Sequence, residues 1–533
     1  MTKGRKYAIA LTAALGLIMG ILDNTIVNIA LVPISKELKI DLSTVQWLVT
    51  GYFLSQAAVI PVAGYLGNRF GSRRIFMGSV AIFTVGSLLC GVTQDPTMLI
   101  TFRVLQGIGA GALFPLGQAL ALDPFEPHER PAAMSLLVIP ILLGPILGPI
   151  LGGWLNDSFG WQYLFLINVP IGFITVFLTW RIMPHDHHRT PEELATSRQF
   201  DYIGLVLSTM GVLGIVYGFS LVNEVDPATR TQLNPSGIAY GWGYWLVWTL
   251  VGSGVALVAA FCLYELHRSD PMLDLRMFKK YSFTIATVVS CVISGTVFGA
   301  LLLLPVFLQQ IRTPHLTALD TGLALIPQGV GSLIGAGLGG PLFNKLGGRL
   351  ITGTGAIFVI IALWQFGNLT PTTDGWAMSP WNFLLGMGLG LTFIPSQTLA
   401  FLSLRGTALT KASSLLNVTR QIAGSVATAI TITLLGQQTT YHFNLLQADA
   451  IRNLPAGASA PNPADPQYIQ AMQQLGAQAG TGGINDVFIY LAIGTVLVLL
   501  LSFALPSRKN VIAMEEEAER LHGSLEAVPI HMG

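Results

Sequence analysis

Charged residues are scarce in this sequence. Only 10% of its 533 residues are Asp, Glu, Lys or Arg, 52% are hydrophobic and the mean hydropathy is +0.61, whereas about 25% of an ordinary soluble domain is charged. The net charge is +1 and the basic residues are scattered, so the sequence lacks the clustered basic surface of a nucleic-acid-binding protein. Lipid rather than water is therefore predicted to be its main solvent.

Other residue types and motifs are also missing. The three cysteines, Cys90, Cys262 and Cys291, lie in apolar stretches, where cysteine usually acts as a small buried hydrophobe, and no disulfide framework is indicated. No G-x-x-x-x-G-K-[ST] phosphate loop occurs, so no site for ATP is predicted. The apolar stretches contain no histidine, which argues against an intramembrane hydrolase. We therefore do not expect an enzyme.

Long apolar stretches, by contrast, are abundant. A helix rises about 1.5 Å per residue, so about 20 apolar residues cross the roughly 30 Å of hydrocarbon in a bilayer. Stretches of this kind lie at 7–33, 45–66, 75–93, 98–121, 132–156, 163–181, 201–221, 243–265, 281–310, 321–343, 350–367, 380–404, 410–436 and 484–505. The first has no A-x-A-like cleavage site and is predicted to be a retained span. The sequence thus predicts an all-α polytopic membrane protein with fourteen spans.

Basic residues are unevenly divided between the two sides that these spans would create. With the N-terminus placed in the cytoplasm, the inner segments and inner span ends hold 21 Lys and Arg, the outer segments hold five, and two lie inside spans. Cytoplasmic loops of membrane proteins carry an excess of Lys and Arg. We expect a multi-pass protein of the cell (cytoplasmic) membrane with both termini in the cytoplasm.

The sequence contains an internal repeat. Segment 64–73, GYLGNRFGSR, recurs as 340–349, GPLFNKLGGR, at an offset of 276 residues. A glycine-rich pair, 106–111 and 385–390, follows at an offset of 279, each with a Phe and a Gln at matching later positions. Many transporters contain such repeats, because alternating access rocks two similar halves about a central site.

The repeat divides the chain into four parts. Two six-helix bundles are predicted at 1–182 and 281–505, joined by a linker at 183–280 that contributes two extra transmembrane helices. The second bundle is predicted to contain a long extracellular loop at 437–483, and a cytoplasmic tail follows at 506–533. His185, His187 and His188 lie in the linker, where a metal site is a weaker hypothesis than a solvated segment, and no metal is predicted.

Several motifs fall in the predicted spans and loops. The first span contains LDNTIVNIALVP at 22–33, and the second opens with QWLVTGY at 46–52. The fourth carries Arg103, Gln106 and Gly107 in an R-x-x-Q-G pattern, and the fifth carries G-x-x-x-G-P-x-x-G-G from Gly144 to Gly153. Together with the loop at 64–73, they resemble the major facilitator superfamily, and more narrowly its fourteen-segment drug:proton antiporter branch, over nearly the whole chain.

The resemblance implies a direction of transport, and the sequence departs from the family motif at one position. The fifth-span pattern is associated with exporters in that superfamily, so the likeness implies efflux. Asn68 stands where the superfamily's cytoplasmic loop motif usually has Asp, which weakens the charge network expected there. The residues that the resemblance implicates in gating and conformational change are Gly64, Asn68, Arg69, Gly71, Arg73, Asp123, Gly144, Gly148, Pro149, Gly152 and Gly153. Topogenic charge and close helix packing are the alternative roles of these arginines and glycines.

Three ionisable residues lie well inside the predicted spans: Asp23, Arg103 and Arg420. A buried charge is costly and needs a partner, a water-filled cavity or a function. We predict that Asp23 is the proton-coupling carboxylate and that Arg103 biases its charge state. The alternative is a static pair that locks the first and fourth spans together. Arg420 is equally compatible with a place in the cavity and with one near the cytoplasmic end of its span.

Polar and aromatic side chains in the apolar spans are the candidates for solute contact. Aromatic faces and sparse amides suit lipophilic, often cationic solutes, although hydrogen bonds between helices are an equally good explanation for any one of them. The candidates are Asn28, Trp47, Tyr52, Gln56, Gln106, Gln309, Asn417 and Gln421.

The function predicted from these observations is proton-coupled efflux of amphipathic, drug-like compounds. A transporter or flippase of the same fold that moves a lipid, peptide or metabolite is the alternative. The expected partners are small amphipathic solutes, protons and the bilayer, and the sequence does not identify an adaptor protein. No cofactor is predicted, since the proton gradient would supply the energy.

Overall fold

The computed structural model describes residues 2–40, 42–184, 201–222, 225–226, 238–268, 271, 273–402, 404, 406–452 and 466–512. Most of these residues are helical. Two short strands, Val225–Asp226 (β1) and Ile238–Ala239 (β2), pair antiparallel, with Val225 opposite Ala239. The histidine cluster at 185–188 and the tail beyond 512 lie outside the described residues, as do the side chains of Asn28 and Pro149.

The helices follow the predicted spans closely. They are α1 Lys3–Glu37, α2 Leu42–Phe70, α3 Ser72–Val92, α4 Pro96–Leu122, α5 Arg130–Phe159, α6 in two pieces Gln162–Leu166 and Asn168–Ile182, α7 Tyr202–Leu221, α8 Trp245–Leu266, α9 Tyr281–Val306, α10 in two pieces Ala318–Ala324 and Ile326–Leu346, α11 Gly348–Phe366, α12 Ser379–Phe401, α13 Gly406–Arg452 and α14 Pro466–Ala504. A π-helical turn, Phe307–Ile311, continues α9.

All fourteen are long enough to cross a bilayer. Over the described residues, thirteen helical stretches combine that length with sufficient hydropathy. The fourteenth is α5, which spans 30 residues and has no Asp, Glu, Lys or Arg between Arg130 and Asp157. At about 1.5 Å per residue it is about 45 Å long.

The last two helices extend well beyond the predicted spans. α13 contains 47 residues and α14 contains 39, about 70 and 58 Å at the helical rise. Residues 437–452 and 466–483, predicted as parts of an extracellular loop, are therefore helical. Hydropathy marks where the lipid contact ends rather than where the helix ends, and the Gln and Ala in this segment are good helix formers.

The sequence repeat has a matching backbone conformation. Gly71 and Gly347 stand at the same repeat position, immediately before α3 and α11, with φ of 97° and 81°. Positive φ in this range is favourable only for glycine. Each glycine thus ends one helix and starts the next within a single residue.

Glycines also let α4 and α12 contact their neighbours in the same way. A Cβ on Gly107 would lie 2.5 Å from Tyr52 O of α2, and one on Gly386 would lie 1.9 Å from Gln328 O of α10. Gly109 is equally tight against Phe83 N of α3. Backbones therefore approach as they do in other small-residue interfaces between membrane helices, and each bundle is built around its fourth helix.

The two bundles meet at the end of the molecule where α2, α4, α10 and α12 finish, here called the repeat-loop end. Gln118 of α4 donates to Gln397 Oε1 of α12 at 2.9 Å, so the matching glutamines of the repeat contact each other. Ser413 Oγ and Asn417 Nδ2 of α13 donate to Gln118 Oε1 at 3.0 and 2.9 Å.

Two more residues, Arg130 and Asn344, join the bundles at this end. Arg130, which is fully buried, donates to Phe401 O and Leu402 O at the end of α12, and Asn344 Nδ2 donates to His128 O at 3.0 Å. Both contacts come from the α4–α5 connection and the first residue of α5. The repeat-loop end is therefore closed.

The same connection is tied to the start of α1. Lys6 Nζ donates to Glu129 Oε2 at 2.6 Å. Partial burial disfavours the charged Glu129 carboxylate, but the hydrogen bonds from Lys6 and from the Glu126 backbone, together with the charge of Lys6, outweigh burial and lower the pKa of Glu129 below its ordinary value. The Glu129 carboxylate is therefore ionised at neutral pH.

The two extra helices form a hairpin beside the junction of the bundles. α7 and α8 pack closely where Gly254 faces Gly211 O and Ile215. Ala57 and Ile60 of α2, Val212 and Val216 of α7 and Val418 of α13 share one apolar cluster. The hairpin thus contacts both bundles through α7.

Two glycines of the fifth-span motif, Gly144 and Gly148 of α5, face α1. A Cβ on Gly148 would lie 2.1 Å from Thr25 Oγ1, and one on Gly144 would lie 2.1 Å from Ile21 Cγ2. Thr25 Oγ1 also donates to Gly144 O at 3.2 Å. Side chains at these two glycines would therefore force α1 and α5 apart.

Substitution of Gly148 by Leu should disrupt this contact. We expect a melting temperature lower by several degrees, because overpacking costs about 1–3 kcal/mol, together with loss of most transport, measured by thermal unfolding in detergent and uptake into liposomes. The matched control is Gly252→Leu in α8, because Gly252 is exposed and a Cβ there meets nothing within 4 Å among the described residues. Equal effects of the two substitutions would show that the α1–α5 contact is unimportant.

Candidate proton-coupling site

The structure brings Asp23 of α1 and Arg103 of α4 into a buried ion pair. The two side chains are 0% and 1% exposed, and Arg103 Nη1 donates to Asp23 Oδ2. A desolvated charge without a partner would be strongly destabilising. The pair predicted from the sequence is therefore present, and it lies entirely within the first bundle.

Two amides complete the surroundings of the Asp23 carboxylate. Gln106 Nε2 and Asn168 Nδ2 donate to Asp23 Oδ1 at 2.8 and 2.9 Å. Both amides also donate to Ser87 Oγ at 3.1 Å. In all three of these bonds the carboxylate is the acceptor. Helices α1, α3, α4 and α6 are thus joined at one point.

Arg103 has other contacts that do not involve Asp23. Its Nε donates to Leu48 O of α2 at 3.0 Å and its Nη1 donates to Gln106 Oε1 at 2.7 Å. The guanidinium lies 4.3 Å from the centroid of the Tyr52 ring, a cation–π distance. Arg103 would therefore stay fixed to α2 and α4 if Asp23 lost its charge.

Asn168 and Ser87 were not among the residues predicted for this site. Each is one of several polar residues in an apolar stretch, the same kind of signal that selected Gln106. Both are buried, at 1% and 0% exposure. Sequence alone does not show which polar residues of α3 and α6 face Asp23, because that depends on how the helices are rotated about their axes.

Comparison with known proteins agrees with this architecture. The family model described as Major Facilitator Superfamily matches residues 13–428. The chain belongs to the Major Facilitator Superfamily. Both the predicted family and the predicted all-α polytopic fold are confirmed.

Named relatives and a solved structure extend the likeness. The chain is 32% identical over 490 residues to "Multidrug resistance protein B homolog" of Mycobacterium tuberculosis (strain ATCC 25618 / H37Rv), covering 90% of this chain and 86% of the relative. It is 31% identical to "Multidrug export protein EmrB" of Escherichia coli (strain K12), covering 92% and 94%. The solved proton:xylose symporter XylE aligns with a TM-score of 0.60 at 14% identity, covering 96% of this chain and all of that one, and supports the fold alone.

The solute-contact candidates of this facilitator occupy different places. Tyr52 and Gln106 belong to the Asp23 site. Asn417, 8% exposed, lies in the contact between bundles at the repeat-loop end. Trp47 is 38% exposed, with its ring 6.3 Å from that of Tyr217 on α7. Gln56 is nearly buried, whereas Gln309 and Gln421 are partly exposed. Among the described residues, the candidates therefore do not share one site: Tyr52 and Gln106 lie at Asp23, whereas Asn417 lies between the bundles.

The gating candidates at the repeat-loop end have identifiable contacts. Arg73 is buried and donates to Thr179 O at 3.3 Å and to Trp180 O, near the end of α6. A cation is favourable at the C-terminus of a helix. Arg69 Nη1 donates to Tyr65 OH at 3.0 Å, and Asp123 is the C-cap residue of α4. Their predicted role in gating stays a prediction.

Arg420 lies in the second bundle, away from the Asp23 site. Its Nε donates to Ser294 Oγ of α9 at 3.2 Å, and its guanidinium lies 4.7 Å from the centroid of the Phe393 ring of α12. Its Nη1 is buried and has no hydrogen-bond partner among the described residues. Of the two places predicted for Arg420, these contacts favour the interior of the bundle.

Proposed function

We propose that this facilitator exports amphipathic, drug-like solutes from the cytoplasm in exchange for protons. The observation that carries the proposal is the buried Asp23 carboxylate at the junction of α1, α3, α4 and α6. A titratable group that joins several helices can change their contacts when it gains or loses a proton. The name of one relative, "Multidrug export protein EmrB", supports export as the direction.

Protonation of Asp23 would act on the contact between α1 and α4. It removes the charge that attracts Arg103, while Arg103 keeps Leu48 O, Gln106 Oε1 and the Tyr52 ring. α1 would then be released from α4 without leaving Arg103 unsatisfied. The proton thereby favours a different arrangement of helices, which is the requirement for coupling through a shift in conformational populations.

The closed repeat-loop end supports the proposal that this conformation is the one in which solute leaves on the outer side. Both termini are proposed to be cytoplasmic, as the distribution of basic residues indicates, so the repeat-loop end faces the cytoplasm. Gln118–Gln397 and Arg130–Phe401 then block the cytoplasmic path. Solute would enter from the cytoplasm after these contacts break and leave on the other side while they hold.

The energy of one proton is sufficient for this task. Moving one charge through about 150 mV releases roughly 3.5 kcal/mol. At about 1.4 kcal/mol per tenfold concentration difference, it supports a solute gradient of a few hundredfold. ATP is not needed for gradients of this size.

Transport into liposomes tests the proposal. Purified protein in liposomes with an imposed pH gradient should accumulate a fluorescent amphipathic dye, and the accumulation should collapse when a protonophore is added. A fluorescent phospholipid in the same liposomes tests the lipid alternative. Lipid movement that ignores the pH gradient, with no dye accumulation, would overturn proton-coupled export.

A further inference from the structure

Arg420 places a positive charge in the interior of the second bundle, away from the coupling site. It is the one ionisable residue predicted to lie deep in the spans of the second bundle. No ion pair joins it to any of the described residues, whereas Arg103 has Asp23. Its contacts, the Ser294 hydroxyl and the Phe393 ring, are both neutral. The second bundle therefore contributes an uncompensated positive charge to the protein interior.

The position of Arg420 relative to the closed end is defined by its neighbours. Asn417, one helical turn before Arg420 on the same face of α13, donates to Gln118 of the other bundle. Phe393 likewise lies one turn before Gln397, which also bonds to Gln118. The Arg420 guanidinium thus lies between α9, α12 and α13, about 5 Å further from the repeat-loop end than the Gln118 contacts.

Asp23 is too distant to neutralise this charge. Arg103, its partner, precedes Gln118 by 15 residues of α4, about 22 Å along the helix. Arg420 is three residues, about 5 Å, from Asn417 and its contact with Gln118. The donors to Asp23, which are Arg103, Gln106 and Asn168, all belong to the first bundle. The anion that pairs with Arg420 must come from elsewhere.

The chemistry of the Arg420 guanidinium indicates what kind of group can pair with it. Arg420 Nε is already bonded, and the buried Nη1 is an unused charged donor. An unsatisfied buried donor is costly, and guanidinium groups match the planar, two-oxygen geometry of carboxylates and similar oxyanions. The residue as a whole is partly exposed, whereas the Phe393 ring beside it is only 2% exposed.

From this arrangement we infer that Arg420 binds the anionic group of the cargo, and that the protein selects amphipathic organic anions such as lipophilic carboxylates and sulfonates. This inference rests on the proposed export function and refines it. It also reverses the preference for cations predicted from aromatic and amide residues alone, because a second cation beside Arg420 would be repelled.

Equilibrium binding tests the inference without any pH gradient, so its failure is distinguishable from failure of proton-coupled export. Wild-type protein in nanodiscs is titrated with a naphthalene sulfonate dye and with a phenanthridinium cation dye, using empty nanodiscs to subtract lipid binding. We expect the sulfonate to bind at least about tenfold more tightly. Arg420→Gln should weaken sulfonate binding at least about tenfold, the loss of one charge-assisted hydrogen bond, and should leave cation binding unchanged or stronger.

Matched variants separate charge from folding. Arg420→Lys should recover part of the sulfonate affinity, and Arg452→Gln, which changes an exposed arginine of the same helix, should bind both dyes as wild type does. If Arg420→Gln does not fold, wild type alone decides: dodecyl sulfonate should displace the bound sulfonate dye and dodecyltrimethylammonium should not. Equal affinity of wild type for both dyes, or an equal loss of both in Arg420→Gln, would overturn the inference.

Discussion

Asp23→Asn is expected to abolish proton-driven accumulation of solute. In liposomes with an imposed pH gradient, the variant should bring the dye only to equal concentrations on the two sides, compared with up to a few hundredfold for wild type with one proton and about 150 mV. Asn keeps the size of Asp but cannot be charged and has a donor NH2 group in place of one acceptor oxygen, so α1 and α4 lose the ion pair in every state. The contacts of Arg103 with Leu48, Gln106 and Tyr52 should preserve the fold.

Exchange measurements sharpen this test. Swapping of labelled for unlabelled dye across the membrane, which needs no net proton movement, should continue in Asp23→Asn. The control is Asp157→Asn, because Asp157 is an exposed acid near the end of α5 and should not affect coupling. Intact gradient-driven accumulation in a folded Asp23→Asn protein would instead mean that Asp23 and Arg103 form the static pair that was the alternative.

Arg130→Ala is expected to open the repeat-loop end. Arg130 is fully buried and is bonded to the last carbonyl groups of α12 in the other bundle. Hydrogen bonds from a charged donor contribute about 1.5–3 kcal/mol each. A net loss of about 2 kcal/mol would shift the equilibrium between closed and open states roughly thirtyfold. The variant should therefore populate an open state that is minor in wild type.

Distances between spin labels at positions 126 and 345 can measure this shift. Both residues are exposed, and they flank the contact between His128 O and Asn344 Nδ2 without taking part in it. With Cys90, Cys262 and Cys291 replaced, pulsed electron resonance should give a longer and broader distance distribution in Arg130→Ala. Arg181→Ala, which alters an exposed arginine at the end of α6, serves as control. An unchanged distribution in Arg130→Ala would show that this arginine does not hold the bundles together.

The two substitutions separate the proposed coupling from the proposed gate. Asp23 acts within the first bundle, whereas Arg130 acts between bundles. Loss of coupling in Asp23→Asn with normal label distances would place the proton step before the movement of the bundles. Faster exchange in Arg130→Ala with intact proton dependence would show that closure limits the rate without carrying the proton.

The internal repeat related equivalent residues of the two bundles but did not reveal which of them are in contact. The offset of 276 residues predicted that Gly71 and Gly347 have equivalent roles, and both have positive φ before equivalent helices. The offset of 279 related Gln118 to Gln397, but it gave no indication that the two side chains bond to each other. Symmetry relates positions in a sequence, whereas contact between them requires both to lie near the symmetry axis.

The sequence by itself determined the solvent of this protein, its fourteen helices, its family and the pair Asp23 and Arg103. All of these follow from local features: the length of apolar stretches, motif spacing and the cost of a charge in lipid. Only the tertiary structure decided that Asn168 and Ser87 complete the Asp23 site, that Asn417 joins the bundles, and that Arg420 has no anionic partner among the described residues. These contacts join residues that lie scores to hundreds of positions apart in the sequence. They depend on how each helix is rotated and packed against its neighbours, and local sequence patterns do not specify that rotation.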